Sequence, residues 1–182
     1  MVLKTLTRAA CVYLAMVSLN AGAPEVEWEF TIGDPVTGDN GRGAFQTDDG
    51  GYIVGGNYQT YNGGYFGNVL FKLDANGDTL WSHLYGMTDE RERASMFRLL
   101  PDGSYMFGGS TDMNENGSLG YLYKINPDGS LNWGCVLGDP FIGETVTCFA
   151  PLGSDQAVAM TGFWYDGDYG YDTKLHFIGP GG

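Results

Sequence analysis

Oxygen-bearing side chains alternate along residues 112–117 (DMNENG), which match the first half of a calcium-binding loop, D-x-[DN]-x-[DN]-G. Oxygens at this spacing can surround one hard cation. Loop position twelve, which usually carries a bidentate acid, is Tyr123. A polar loop with Asx turns is the alternative interpretation. A calcium site here would use Asp112, Asn114 and Asn116, with Asp166 and Asp168 from an acid-rich segment further along.

Aromatic side chains are dense in two segments, residues 58–66 and 163–171. Exposed aromatics interspersed with Asn, Asp and Gly form surfaces that stack on sugars or contact proteins. Packing inside the protein is the alternative use of the same side chains, because buried aromatics dominate core energetics. The predicted ligand-binding residues are Tyr58, Tyr61, Tyr65, Trp164, Tyr165 and Tyr169.

No catalytic residue is predicted from motifs. The two histidines, His83 and His176, stand in no recognisable nucleophile–base grouping. Carboxylates are numerous, so a pair at glycosidase spacing could form, and a glycoside hydrolase-like enzyme is kept as an alternative. Its signature would be a buried carboxylate pair in one cleft with perturbed titration.

The chain is acidic, with 22 Asp and Glu against 9 Lys and Arg and a net charge of −13. A negative field of this size repels phosphate backbones, so nucleic acid is not expected as a partner. The field disfavours anionic membrane surfaces and favours solubility, and it leaves cations as candidate ligands.

Residues 1–23 have the pattern of a secretory signal. Lys4 and Arg8 precede an apolar stretch at residues 9–19, and residues 21–23 (AGA) form a small-x-small cleavage site. Later apolar runs are too short to span a bilayer, which needs ~20 residues. We therefore expect a secreted protein, extracellular or periplasmic, with one mature domain at residues 24–182.

Four markers recur at intervals of 50 to 53 residues, which indicates an internal repeat. The units cover about residues 28–80, 81–132 and 133–182. The markers are Trp-x4-Gly from Trp28, Trp81 and Trp133; a small pair at Gly55-Gly56, Gly108-Gly109 and Thr161-Gly162; an Asn/Asp-Gly turn at 74–77 and 126–129; and Lys72, Lys124 and Lys174.

Each unit carries signals for four short strands, because Asp-Gly and Asn-Gly turns separate runs of Tyr, Val, Ile, Phe and Trp. In the second unit the predicted strands are 94–100, 104–110, 120–125 and 130–137. The charged stretch 89–98 could also form a turn of helix before the first of them. Two cysteines follow residue 23. Cys135 falls on the last strand of one predicted group of four and Cys148 on the first strand of the next group, so we expect them to remain unpaired.

The motifs DGGYIVGG at residues 49–56 and K-L-D-A-N-G-D-T-L-W at residues 72–81 resemble the blades of secreted bacterial and archaeal β-propeller repeat proteins. The turn before Trp81 is also similar to that of pyrroloquinoline-quinone-type propeller repeats, with one residue fewer. The resemblance covers about residues 28–178 and implies an all-β fold of three four-stranded antiparallel blades. The third unit ends without its fourth strand.

Closed propellers typically have 4–8 blades, so three blades suggest a partial propeller or half of a six-bladed dimer. A strand at residues 25–32 could complete the last blade. A β-trefoil, which also has three units of four strands, is the alternative fold. The expected function is a secreted, non-catalytic binding or cell-surface interaction scaffold that recognises protein or carbohydrate. The alternatives are a carbohydrate-binding lectin-like domain and a secreted glycoside hydrolase-like propeller enzyme. No cofactor other than calcium is suggested.

Overall fold

The computed structural model describes residues 29, 31, 38–59, 66–86, 91–112, 117–139, 143–153, 155–164 and 171–179. Residues 32–182 form one compact unit. The predicted signal at residues 1–23 and most of the strand predicted at 25–32 lie outside the described residues.

The described residues include eleven strands in three antiparallel sheets, and in each sheet the strands lie side by side in chain order. No helix long and apolar enough to cross a membrane occurs in the described ranges. The first sheet contains β1 (Asn40–Gln46), β2 (Tyr52–Gln59), β3 (Phe66–Leu73) and β4 (Thr79–Tyr85). The second contains β5 (Arg91–Leu99), β6 (Tyr105–Asp112), β7 (Ser118–Ile125) and β8 (Leu131–Leu137). The third contains β9 (Glu144–Pro151), β10 (Ala157–Trp164) and β11 (Tyr171–Ile178).

This topology confirms the all-β prediction and has the form of propeller blades. The first two sheets are four-stranded meanders, and the third has three described strands. The sheets do not end at the predicted unit bounds of residues 80 and 132, because β4 ends at Tyr85 and β8 ends at Leu137. The trefoil alternative does not describe this arrangement, because consecutive strands of one unit remain together in one sheet. The helical turn considered for residues 89–98 is wrong, since β5 begins at Arg91.

The tight turns form where Asp or Asn precedes Gly. Gly50 and Gly103 have φ of 80° and 79°, which a side chain would strain. The carboxylate of Asp49 accepts a hydrogen bond from the Gly51 N–H at 3.0 Å, and Asp102 accepts one from the Ser104 N–H at the same distance. These Asx-type bonds fix the hairpins that join the first two strands of each of these sheets.

A β-bulge recurs in the first strand of every sheet. The register shifts between Gly41 and Gly43, between Ala94 and Met96, and between Val146 and Cys148. In the last two sheets a hydroxyl of the bulged residue stabilises the bulge. The Ser95 hydroxyl oxygen lies 3.2 Å from the Gly108 carbonyl oxygen and closer to the Val146 carbonyl oxygen of the third sheet, and Thr147 donates to the Met160 carbonyl at 3.1 Å.

Two apolar cores hold the sheets together, one between each pair of neighbouring sheets. The first contains Ile53 and Leu70 with Phe97, Phe107 and Tyr121 and is fully buried. The second contains Met106, Leu122, Val146, Phe149 and Ile178. The first strand of each following sheet therefore packs on the face of the sheet before it, as blades do.

The register corrects two repeat markers of the third unit. Gly55, Gly108 and Met160 are equivalent, because each pairs with the residue directly after the bulge. Thr161 therefore corresponds to Gly56 rather than to Gly55. Lys174 pairs with Thr161 and corresponds to Tyr121, not to Lys124.

Cys135 on β8 and Cys148 on β9 are free, as expected from their placement in different sheets. Burial raises the pKa of the Cys135 thiol. Both thiols are therefore part of the strand surfaces and form no crosslink.

Candidate functional site

The three predicted site residues that the structure describes lie at one end of the sheets. Tyr58 is the penultimate residue of β2, and Asp112 and Trp164 end β6 and β10. We call this the loop end, where each first strand begins and each second strand ends. The remaining predicted residues follow in segments outside the described residues: Tyr61, Tyr65, Tyr165 and Tyr169 for ligand binding, and Asn114, Asn116, Asp166 and Asp168 for calcium.

Tyr58 is half-buried and lines a cavity of about 240 Å³ on the first sheet. Its ring covers Gly67, where a Cβ would lie 2.5 Å from a ring carbon. Asp112 is also half-buried and is paired with Ser118 across the hairpin. Among the described residues no three His, Cys, Asp or Glu side chains are close enough to hold a metal. The calcium site thus remains a prediction about the segments beyond Asp112.

An acidic residue stands at the start of each first strand at the loop end. Asp39, Glu92 and Glu144 each lie three residues before the bulged residue of their strand, at intervals of 92 − 39 = 53 and 144 − 92 = 52. Glu92 and Glu144 are fully buried. Asp39 accepts a hydrogen bond from the Gln59 backbone N–H at 3.0 Å. These acids keep the period of the tryptophans, a signal that the sequence analysis missed.

Neutral donors hold the carboxylate of Glu92 between the first two sheets. The Tyr123 hydroxyl donates to Oε1 at 2.6 Å, and the Asn68 amide donates to Oε2 at 3.3 Å. Tyr121 donates in turn to the Asn68 Oδ1 at 2.8 Å. Burial, followed by the nearby charge of Glu92, raises the pKa of Tyr121 well above its ordinary value. This network joins β3 to β5 and β7.

Glu144 occupies the equivalent position in the third sheet, where Lys174 is a charged partner. Lys174 donates to Oε1, and the Thr161 hydroxyl donates to Oε2 at 2.8 Å. His176 Nε2 lies 3.6 Å from Oε2 and 2.9 Å from the Thr161 hydroxyl oxygen. Because the single hydroxyl proton of Thr161 goes to Glu144, His176 Nε2 must carry the proton of the second bond. Lys174 and His176 stand where the second sheet has Tyr121 and Tyr123.

Opposing effects act on the titration of Glu144. Burial alone would raise its pKa, but the hydrogen bonds from Lys174, Thr161 and the Asp139 backbone N–H, together with the charge of Lys174, lower the pKa below its ordinary value of 4.5. The group is therefore a stable carboxylate near neutral pH, and its oxygens are engaged within the fold.

The glycines of the second and third Trp-x4-Gly markers each cover the buried acid that follows them. Gly86 and Gly138 have φ of 136° and 108°. A Cβ on Gly86 would lie 3.1 Å from Glu92 Oε2, and one on Gly138 would lie 2.5 Å from the carboxyl carbon of Glu144. Only glycine combines this backbone with this proximity, so these two glycines of the motif are required by the acid that follows.

Lysine–aspartate pairs lie at the opposite end of the first two sheets. Lys72 Nζ is 2.8 Å from Asp49, and Lys124 Nζ is 3.2 Å from Asp102. Both lysines are buried and both aspartates are exposed. The hydrogen bond from Lys72, with those from Thr47 and Gly51, lowers the pKa of Asp49 strongly. These pairs anchor the hairpin turns, which gives the repeated lysine of the first two units a structural role.

His83 is exposed on β4, and its ring lies between two aromatic neighbours. Its centroid is 5.1 Å from that of Trp81 and 6.4 Å from that of Tyr85. This placement agrees with a residue on a sheet face.

One family model, described as "Domain of unknown function (DUF5122) beta-propeller", matches residues 93–132. The match runs from β5 into β8 and so covers most of the second sheet. The fold is a β-propeller with three blades described. No curated protein matches the chain. The blade description applies to the sheets that flank the match, because they have the same strand order, bulge and leading acid.

Proposed function

We propose that this β-propeller domain is an exported binding module, without catalytic residues, that engages protein or carbohydrate at the cell surface through its loop end. One observation carries the proposal. The second strands of all three blades end at the same end of their sheets, so the segments after Gln59, Asp112 and Trp164 all start there.

The buried acids support a scaffold rather than a reactive centre. Glu92 and Glu144 lie on different sheets, and each accepts hydrogen bonds from side chains of its surroundings. Groups used in this way stabilise strand placement and leave recognition to the loops. The predicted aromatic and acidic residues of those loops are suited to stacking on sugars and to polar contacts with a protein surface.

The test is a binding screen with matched variants. The purified chain is applied to a glycan array and to fixed cell surfaces, alongside a double variant Tyr61→Ser/Tyr65→Ser and a second double variant Tyr165→Ser/Tyr169→Ser. The controls are Leu80→Ser and Leu131→Ser, which change exposed side chains at the opposite end of the sheets. We expect the loop variants to lose binding and the controls to keep it.

Discrete glycan hits would support the lectin-like version of the proposal, and cell binding without glycan hits would support a protein partner. Equal binding by all variants, or no binding by the native chain, would overturn the role of the loop end. The screen is repeated with about 1 mM calcium, the range in which extracellular calcium modules bind. A calcium-dependent signal that Asp112→Asn abolishes would support the predicted metal site.

A further inference from the structure

The two internal interfaces follow one packing rule. In each, an aromatic side chain from the first strand of the following sheet packs on a glycine of the second strand before it. A Cβ on Gly55 would lie 2.6 Å from the Phe97 ring, and one on Gly108 would lie 2.9 Å from Phe149. The two pairs are equivalent, because Phe97 and Phe149 each lie two residues after the bulged residue of their strand.

The outer faces of the first and third sheets are apolar, and no other sheet of the described residues covers them. On the third sheet, Leu175 is 74% exposed and Phe177 is 67% exposed. Leu175 corresponds to Leu70 and Leu122, both of which are fully buried by the next sheet. On the first sheet, Leu84 is 62% exposed beside the cavity of about 240 Å³.

These outer faces are equivalent to the two faces that meet at each internal interface. The third sheet presents the face on which a following blade packs, and the first presents the face that packs on a preceding blade. At the centre of these faces, the large and the small side chain have changed places relative to the internal interfaces. Met160 stands where Gly55 and Gly108 receive an aromatic ring, and Ala44 stands where Phe97 and Phe149 supply it. A large residue facing a small one fills the same space with the roles reversed.

We propose that the occupant of these faces is a second copy of this chain. The first sheet of each copy packs on the third sheet of the other, with Ala44 of one against Met160 of the other. The two contacts are identical under a two-fold axis, so the assembly closes without open ends. It contains six blades, within the usual range of 4–8. This inference is independent of the proposed binding function, because it uses none of the loop residues.

The test uses two variants. Each alone should weaken the contact, and a mixture of the two should restore it. Ala44→Phe overfills it, and Met160→Gly leaves it underfilled. We expect the native chain to be a dimer by light scattering on sized fractions. Each variant alone should weaken dimerisation about tenfold or more, because both contacts of its dimer are altered.

An equimolar mixture of the two variants is the decisive sample. Its heterodimer has one Phe–Gly contact, like the internal interfaces, and one native Ala–Met contact. We expect the mixture to recover dimers, with both chains present in the dimer peak by mass spectrometry. A change in folding of either variant alone cannot produce this recovery, and circular dichroism verifies that both are folded. Leu131→Ser, an exposed site on the middle sheet, is the control and should leave the dimer intact.

Three results would overturn the proposal. A native chain that is folded and monomeric would show that another part of the chain covers these faces. Heterogeneous large assemblies would show open-ended stacking in place of a closed pair. A dimer that neither variant weakens, or a mixture that stays monomeric, would place the contact elsewhere.

Discussion

At the scale of single residues, the two buried glutamates occupy the same structural position and differ in what holds them. Tyrosine and asparagine donors surround Glu92, whereas Lys174, Thr161 and His176 surround Glu144. Glu144 is fully buried, while the side chain of Lys174 is 38% exposed. The ammonium group of Lys174 therefore remains partly hydrated, and its positive charge stabilises a carboxylate that has no contact with water.

Removing Lys174 should destabilise the domain. Lys174→Met leaves Glu144 buried with fewer donors, at a cost of about 1–3 kcal/mol in the free energy of unfolding. Lys72→Met is the matched control, because its partner Asp49 is exposed and can turn to water. Its effect should lie near zero to about 1 kcal/mol. Urea denaturation of both variants measures the difference, and equal losses would contradict the structural role assigned to Glu144.

The same pair predicts the direction of acid sensitivity. The pKa of folded Glu144 is lowered below 4.5, so the stability it contributes is present above that pH. This stability is lost as the pH falls through the lowered folded value. The hydrogen bond from Lys174 is the largest of the effects that lower this pKa against burial. Lys174→Met should therefore raise the folded pKa of Glu144, and acid unfolding should begin at a higher pH than in the native chain. Fluorescence-monitored acid titration tests this, and an unchanged midpoint would argue against it.

Residues differ in how well the sequence alone predicts them. The turns around Gly50 and Gly103 were predictable, because Asp-Gly in a hairpin needs positive φ. The leading acids were not recognised, because the first is an aspartate and the other two are glutamates, and because burial of a carboxylate is ordinarily unfavourable. Their donors Tyr123 and Asn68 lie far along the chain and meet Glu92 only once two sheets pack.

At the scale of elements, the glycines of the second strands allow the sheets to approach. Gly55→Ala would place a Cβ 2.6 Å from the Phe97 ring, with two further ring atoms within 2.9 Å. Overpacking of this kind typically costs about 1–3 kcal/mol. Gly41→Ala is the control, since nothing lies within 4 Å of its Cβ position. Thermal unfolding should show a clear decrease for the first variant and a small change for the second, and comparable decreases would contradict the packing rule.

The strands of the second unit were predicted close to their observed positions because their turns are explicit. In the third unit, the constant period places the Thr161-Gly162 marker one residue after the equivalent positions. It places Lys174 three residues before the position equivalent to Lys124. Counting a constant period cannot detect where a hairpin shifts register, and the third unit has Gly153 and Asp155 in place of an Asp-Gly turn. Strand pairing with β9 and β11 resolves both positions.

At the scale of the whole molecule, the blade architecture could be predicted from motif spacing. How the blades close into a ring could not be predicted in this way. Spacing reports which residues share a unit, and it contains no information on which faces of different units meet. The exchange of Met160 and Ala44 becomes visible only when the bulges align the sheets. Likewise, the sequence alone could not predict that these loops share one end of the sheets, because this depends on the directions of the strands.

Net charge leads to the last prediction. Two copies that each carry about −13 repel one another, whereas the residues proposed at their contact are apolar: Ala44, Met160, Leu175 and Phe177. Added salt screens this repulsion, because the Debye length falls from about 30 Å at 0.01 M to about 8 Å at 0.15 M. The dimer should therefore tighten as sodium chloride is raised over this range.

Sedimentation equilibrium at several salt concentrations measures this dependence. The mixture of Ala44→Phe and Met160→Gly is the control, because both variants keep the native net charge and their heterodimer should show the same salt slope. Weakening of the dimer by salt would mean that ion pairs form the contact, which is incompatible with an apolar blade-on-blade interface.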